Sequence, residues 1–135
     1  RDARRREEGE MRTRADYWVG RGKDAEWLGS TSWDGYPDGV PKLVIRAIDE
    51  TNYRFLVADL LKDRDSATSP EMGWPWPWED SSTTDYAYTW DDGIVWASCF
   101  GHNWFDPKQP EPEHSDIPPE PAVFPDMTSR QRVTF

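Results

Sequence analysis

Residues 73–80 read GWPWPWED, three tryptophans alternating with two prolines, and they separate a first half with helical patterns from a β-rich second half. Each proline fixes φ and lacks an amide hydrogen, so the stretch cannot form a helix or a central strand. Each proline also restricts the tryptophan before it to extended geometry. The sequence therefore predicts a short, stiff, polyproline-like segment, which we call the Trp–Pro segment (residues 73–80).

The three indoles of this segment are the strongest candidate for a binding surface. If Trp74, Trp76 and Trp78 were all exposed, they would form an apolar patch of a kind that soluble monomers seldom tolerate. We expect two rings to pack on the body, against the helix of Leu56 and Leu60 or against the second hairpin, and one ring to stay largely accessible. The competing interpretation is structural, with the rings covering the core.

The accessible part of the segment would offer a stacking platform for a sugar, a base, a proline-rich peptide or a partner protein. The predicted binding residues are Trp74, Trp76, Trp78, Glu79 and Asp80.

The length of 135 residues predicts one domain with one core. The core must be built largely from aromatic side chains, because the chain has 9 Trp, 5 Tyr and 5 Phe but a mean hydropathy of −0.94. The net charge of −10 argues against contacts with nucleic-acid phosphates and with anionic membranes. It favours a basic protein partner or mimicry of nucleic-acid charge, and it is also compatible with simple solubility.

Cys99 is the single cysteine, so the chain cannot form an internal disulfide, which is typical of a cytoplasmic protein. No apolar run reaches the ~18 residues of a membrane span, and no signal-peptide pattern is present. We predict a cytoplasmic protein without membrane contact and without a cofactor.

The first residues resemble a leader rather than part of the domain. Residues 1–10 carry four arginines and four acidic groups and almost nothing to bury. The purine-rich codons of Glu and Gly at 7–10 would suit a ribosome-binding site just before Met11. We therefore predict that residues 1–13 are disordered or wrongly included, with Met11 as the true start.

Two strands and two helices are predicted in the first half. Residues 15–19 and 25–29 are aromatic-rich strands, joined by a turn at 20–24 whose GRGK lacks the full spacing of a phosphate loop. Pro41 suits the start of a first helix, with Val44, Ile45 and Ile48 on one face, although a strand is also compatible with this run. Thr51 could cap a second helix that ends near 65–67. Its apolar stripe would be Tyr53, Leu56, Val57, Leu60 and Leu61.

A hairpin is the clearest feature of the second half. Asp92-Gly93 lies between two β-rich runs, which favours a two-residue type I′ turn. With this turn, three aromatic residues face three small ones across the strands, and Cys99 would be a buried small hydrophobe. The predicted pairs are Trp90 with Val95, Tyr88 with Ala97, and Tyr86 with Cys99.

Residues 106–135 hold 7 of the 12 prolines and predict an extended, acidic, proline-rich tail. Two short apolar groups, 123–125 and 133–135, could dock on the body.

The chemical motifs are weak. Cys99 and His102 have a spacing that zinc ligands use, but a structural zinc site needs four ligands and the chain has one Cys and two His. Asp91-Asp92 is explained by the hairpin turn, and Glu79-Asp80 could cap a turn through residues 81–84. We predict no catalytic residue and no metal site.

Five segments resemble uncharacterised small proteins of phage and bacterial genomes. They are YWVGRGKDAEWLGS (17–30), DGYPDG (34–39), GWPWPWEDS (73–81), TTDYAY (83–88) and VWASCFG (95–101). The resemblance extends from residue 14 to residue 105. It implies an accessory role in a phage or mobile element and supplies no catalytic residue.

Together these observations predict an α+β domain over residues 14–105. An antiparallel sheet of about four strands, from two hairpins, would carry two helices on one face. The predicted function is non-enzymatic binding of a protein partner through the Trp–Pro segment and the acidic surface. The alternative is a small hydrolase, which requires Glu79, Asp80 or Asp85 to meet His102 in a concave pocket.

Overall fold

The computed structural model describes residues 13–64, 66–110 and 121–127. All but the last residue of the predicted leader, including the start at Met11, and most of the predicted tail lie outside these ranges. The strands are β1 (Ala15–Val19), β2 (Glu26–Thr31), β3 (Tyr86–Asp91) and β4 (Ile94–Cys99); the helices are α1 (Lys42–Ile45) and α2 (Glu50–Asp63); 3₁₀ turns occupy Pro70–Met72 and Ser81–Thr83.

The four strands form one sheet in the order β2-β1-β3-β4. The two hairpins, β1–β2 and β3–β4, are antiparallel as predicted, but β1 pairs with β3 in parallel. The sheet is therefore mixed, and the prediction of a purely antiparallel sheet is wrong. Parallel neighbours need a long crossover connection, which here is the chain from 20 to 85 with β2, both helices and the Trp–Pro segment.

The predicted register of the second hairpin is confirmed. Its pairs are Tyr86 with Cys99, Tyr88 with Ala97, and Trp90 with Val95. Asp92 and Gly93 both have positive φ, 52° and 86°, as a type I′ turn requires. Local turn chemistry thus determines which aromatic residues of β3 share a face.

Both helices pack on one face of the sheet, where they form the helix-side core. Tyr17 of β1, Tyr88 of β3 and Val57 of α2 are among its fully buried members. The N-cap of α2 is Asp49, whose carboxylate accepts a 2.8 Å hydrogen bond from the backbone N–H of Asn52, so the prediction of Thr51 as the cap is wrong. The prediction that Ile48 shares a helical face with Val44 and Ile45 is also wrong, because α1 ends at Ile45 and Ile48 is exposed.

The opposite face of the sheet is buried as well. Successive strand residues point to opposite faces, so Asp16, Trp18 and Ala87 lie on this second face. Here the chain forms a second cluster of buried side chains, which we call the Trp-side core. Its members include Trp18, Trp27, Trp74, Trp76, Ala87 and Phe124.

Part of the predicted tail completes this second core. Phe124 and Met127 are buried, and two backbone hydrogen bonds hold the segment 121–127 in place. The N–H of Ala122 donates to Gly101 O at 3.0 Å, and the N–H of Met127 donates to Glu79 O at 2.7 Å. In the described part of the chain, no helix is both long enough and apolar enough to cross a membrane.

Candidate functional site

The Trp–Pro segment lies on the sheet face opposite the helices. Trp74 and Trp76 are buried, so the prediction that two of the three rings pack on the body is confirmed. Their position was predicted less well, because Trp74 packs against Trp18 and Trp27, at ring-centroid distances of 6.3 and 5.3 Å, and not against α2. The indole surface of the segment is thus mainly part of the Trp-side core.

Among the three tryptophans of the segment, Trp78 is the one whose side chain stays partly accessible to solvent. It is half-buried rather than largely accessible, and its ring stacks on Trp76 with 5.5 Å between centroids and 16° between planes. The guanidinium carbon of Arg14 lies 5.7 Å from the centroids of both rings, a cation–π distance. Arg14 also forms an ion pair with Asp85 at 3.6 Å. The outer edge of the segment therefore combines one aromatic ring with paired charges.

All three indole N–H groups of the segment are used inside the protein. Trp74 donates to the carbonyl oxygen of Trp78 at 2.8 Å. Trp78 donates to the hydroxyl of Thr84 at 2.9 Å, and Trp76 donates to Oδ1 of Asp16 at 2.7 Å. A ligand on this surface could therefore use ring faces but no indole hydrogen-bond donor.

Asp16 is the centre of a buried polar group that sequence analysis missed. Ser30 donates to its Oδ1 at 2.6 Å and Ser81 donates to its Oδ2 at 2.5 Å, in addition to the Trp76 bond. We call Asp16, Ser30, Ser81 and Trp76 the Asp16 cluster. The polar residues at 16 and 30 within aromatic strands were the sequence signal for this cluster. The same pattern is equally compatible with side chains that face solvent.

Burial raises the pKa of Asp16 above its ordinary value of 3.8, and the hydrogen bonds from Ser30, Ser81, Trp76 and Thr84 oppose this shift. A raised pKa in a carboxyl group can mark a general acid. Asp16 has 0% exposure, however, and its oxygens already accept these hydrogen bonds. It cannot contact a substrate from solvent, so its role is structural.

The two predicted acidic binding residues differ in their surroundings. Glu79 is exposed, and its backbone oxygen holds the segment 121–127. Asp80 is half-buried and caps the Ser81–Thr83 turn, accepting hydrogen bonds from Ser82 N at 2.9 Å and from the Ser82 hydroxyl at 2.5 Å. The predicted capping role of this pair is thus confirmed for Asp80.

Cys99 and His102 lie at the end of β4 and just after it. Cys99 is half-buried, His102 is exposed, and the backbone N–H of His102 donates to Cys99 O at 3.0 Å. Among residues 13–64, 66–110 and 121–127, no group of three or more His, Cys, Asp and Glu side chains could hold a metal ion.

A groove of about 600 Å³ lies between α2 and the connection that follows it. Sequence analysis did not predict it, because its two walls come from segments whose relative position depends on the tertiary fold. Ala58 of α2 and Met72 of the connection are both exposed at the groove. Its apolar lining includes Leu28, Val57, Ala58, Leu61, Pro70 and Met72.

Charged side chains frame this groove. Arg54 donates two hydrogen bonds to Glu26, at 2.7 and 3.1 Å, and one to Glu50 at 2.8 Å. These carboxylates raise the pKa of Arg54, and Arg54 lowers the pKa of Glu26. Arg54 with its two carboxylate partners, Glu26 and Glu50, therefore carries a net charge of −1. Glu71 and Lys62 also line the groove.

Comparison with known proteins gives no relative from which to infer a function. No protein-family model matches the chain, and neither a curated protein nor a solved structure is similar to it.

Proposed function

We propose that this protein is a binding protein without catalytic chemistry of its own, and that the groove beside α2 takes an apolar segment of a basic protein partner. The observation that carries the proposal is the groove itself. Its volume falls within the range of about 300–1,000 Å³ that is typical of ligand sites, and its lining is mainly apolar with a few polar groups.

The charge of the chain supports a basic partner. A net charge of −10 attracts cationic surfaces and speeds their association at low salt. At and next to the groove, Glu26, Glu50 and Glu71 exceed Arg54 and Lys62 by one negative charge. Hydrogen bonds from its own backbone and from Ser69 lower the pKa of Glu71, which keeps that groove residue ionised. A partner segment with apolar anchors and flanking Lys or Arg would complement both features.

The outer edge of the Trp–Pro segment is a second candidate contact surface. Trp78 is half-buried, and Pro77 and Glu79 are exposed beside it. This surface could stack on a partner in the way predicted from the sequence. The accessory role in a phage or mobile element stays a prediction, and it fits either surface.

Two of the three carboxylates in the hydrolase alternative have structural contacts of their own. Asp80 is used as a turn cap. Asp85 accepts a 2.9 Å hydrogen bond from the backbone N–H of Arg14 and pairs with its side chain.

A binding assay with matched peptides tests the proposal. A short labelled peptide of alternating leucine and lysine pairs should bind the full chain, measured by fluorescence anisotropy, and its leucine–glutamate counterpart should not. Ala58→Arg fills the groove from an exposed helix position and should weaken binding about tenfold, equivalent to about 1.4 kcal/mol. Thr51→Arg adds the same charge at an exposed position of α2 outside the groove lining, and it should change the affinity less than about twofold.

Three results would be decisive against this assignment. Equal losses for Ala58→Arg and Thr51→Arg would indicate a purely electrostatic contact. Binding lost in Trp78→Ala but kept in Ala58→Arg would move the contact to the Trp–Pro segment. Failure of the leucine–lysine peptide to bind the wild-type chain would remove the basic partner class.

A further inference from the structure

A second cavity, of about 470 Å³, lies where three segments meet on the edge of the Trp-side core. The segments are the β1–β2 turn, the residues after β4, and the segment 121–127. Arg21 and Gly22 line it from the turn, Asn103 and Trp104 from the second segment, and Val123 from the third. None of these residues belongs to the groove beside α2.

Trp104 gives the cavity a rigid aromatic wall. Its ring is half-buried and meets Phe124 edge-on, with 5.3 Å between centroids and 61° between planes. Phe124 is buried against Trp18 at 5.9 Å, which connects this wall to the centre of the core. A ring held in this way loses little entropy when a ligand stacks on it.

Polar groups at this cavity are left without partners inside the described protein. Six indole N–H groups elsewhere donate to protein oxygens, whereas that of Trp104 makes no hydrogen bond to a described residue. Oδ1 of Asn103 is buried and also has no partner there. Buried polar groups are hydrogen-bonded in the large majority of cases. The Asn103 oxygen is such a buried group without a partner, and the Trp104 N–H is an accessible donor next to it, so this wall of the cavity can take a polar occupant.

The charge at the cavity argues against an anion. Nε of Arg21 donates to Asp91 at 2.8 Å, and its guanidinium carbon lies 4.5 Å from the ring centroid of Trp96. The ion pair neutralises the cation but leaves its outer N–H groups able to donate hydrogen bonds. Because the whole chain is strongly acidic, a phosphate or another anion would be repelled.

We propose that Arg21, Asn103 and Trp104 form a binding site for a neutral, polyhydroxylated ligand, a saccharide. The apolar C–H face of a sugar ring stacks on an indole, and its hydroxyl groups both donate and accept. The N–H groups of Arg21 and Trp104 would donate to sugar oxygens, and the amide of Asn103 can do both. A wide, shallow cavity between loops suits an end or a side of an oligosaccharide.

NMR titration of the ¹⁵N-labelled full chain tests this site. Maltohexaose, cellohexaose and hexa-N-acetylchitohexaose, all of them neutral, serve as the probes. At least one should shift the indole N–H signal of Trp104, assigned from its absence in Trp104→Phe, with a dissociation constant of about 1 mM or below. Trp104→Ala removes the stacking ring and should weaken binding about tenfold, equivalent to about 1.4 kcal/mol. Asn103→Ala should weaken binding as well.

Trp33→Ala is the matched control, since Trp33 is a partly exposed tryptophan outside the cavity lining, and it should bind the same sugar as the wild-type chain does. Thermal unfolding of each variant shows that the fold is retained. The proposal is overturned if none of the three sugars shifts the Trp104 signal, if Trp33→Ala loses as much affinity as Trp104→Ala, or if inorganic phosphate binds there instead.

Discussion

At Asp16, indole chemistry determines the direction of the hydrogen bonds. An indole N–H donates and never accepts. Each serine of the Asp16 cluster accepts one such bond, so its own hydrogen is available for the carboxylate. Trp27 donates to Ser30 and Trp18 donates to Ser81, each at 3.1 Å. The carboxylate thus connects the β1–β2 hairpin with the Trp–Pro segment and with the 3₁₀ turn that follows it, although its position in an aromatic strand is equally compatible with a solvent-facing side chain.

Removing this acceptor should destabilise the protein strongly. Asp16→Ala leaves two serine hydroxyls and the Trp76 N–H without an acceptor in a buried site, and each such loss costs about 1–3 kcal/mol. We expect a loss of more than about 3 kcal/mol in the free energy of unfolding, measured by urea denaturation. Asp59→Ala, at an exposed position, should stay within about 0.5 kcal/mol. A small effect of Asp16→Ala would mean that water replaces the carboxylate.

The raised pKa of Asp16 predicts how stability depends on pH. The folded state holds the proton more tightly than the unfolded state, so unfolding releases protons between the two pKa values. The contribution of this group to stability is therefore complete below about pH 4, is lost as the pH rises through the folded-state pKa, and is then constant.

The difference in unfolding free energy between wild type and Asp16→Asn isolates this contribution, because the other carboxyl groups cancel. This difference should fall as the pH rises from about 4. If the difference increased with pH, the hydrogen bonds would outweigh burial and the pKa of Asp16 would be lowered.

At the scale of elements, the Trp–Pro segment shows what a local pattern can specify. Alternating prolines predicted an extended segment with two buried rings. The burial of two rings is confirmed, but the extended geometry is wrong for residues 76–80, which form bends, and the Trp74 N–H reaches the carbonyl oxygen of Trp78. The pattern did not specify which surface the rings cover. Tyr88 and Trp90 fill the helix side of the sheet, whereas the opposite face of β3 carries Ala87 and Thr89. These small residues leave room for the indoles, but only once the register is known.

Two tryptophans of the segment should respond differently to the same conservative change. Trp76→Phe removes a hydrogen bond to a buried carboxylate and should cost about 1.5–3 kcal/mol. Trp78→Phe removes a hydrogen bond to a neutral hydroxyl and should cost about 1 kcal/mol. Both changes keep an aromatic ring in the stack, and urea denaturation measures the costs. Equal costs would show that the Asp16 cluster does not hold the segment in place.

The β1–β2 hairpin contains an irregularity that depends on one glycine. The register shifts at Tyr17, and Gly29 opposite has a φ of 143°. A Cβ at this position would lie 2.5 Å from Cδ1 of Leu61 and 2.8 Å from the carbonyl oxygen of Thr68. The close approach of α2 to β2 therefore requires glycine at this position.

Gly29→Ala and Gly22→Ala separate this contact from backbone strain. Gly22 also has a positive φ, but nothing lies within 4 Å of its added Cβ, so alanine there should cost about 1–2 kcal/mol from strain alone. Gly29→Ala should cost a further 1–3 kcal/mol, roughly, because the packed layers must shift. Thermal or urea unfolding measures both. Similar losses would show that α2 can move away at little cost.

For the whole molecule, the parallel pairing of β1 with β3 joins two hairpins that the sequence suggests as separate units. The sequence predicted the hairpins, the helices and the burial of two rings of the Trp–Pro segment, because these depend on signals that are local in the chain. It did not predict the pairing, the groove beside α2 or the cavity at Trp104. Each of these depends on contacts between residues far apart in the chain, such as Leu28 with Met72 across the groove walls.

Hydrogen exchange should show whether the two hairpins unfold together. β1 and β3 are the central strands, paired on both sides and covered by a core on each face, so their amides should be the slowest to exchange. β2 and β4 are edge strands and should exchange faster. Native-state exchange can be measured by NMR at increasing urea concentrations. The amides of β1 and β3 should converge to one common free energy of opening, because opening either strand breaks the parallel ladder and exposes both cores. If β3 and β4 kept their protection while β1 and β2 exchanged, the hairpins would be independent units and the mixed sheet would not act as one cooperative core.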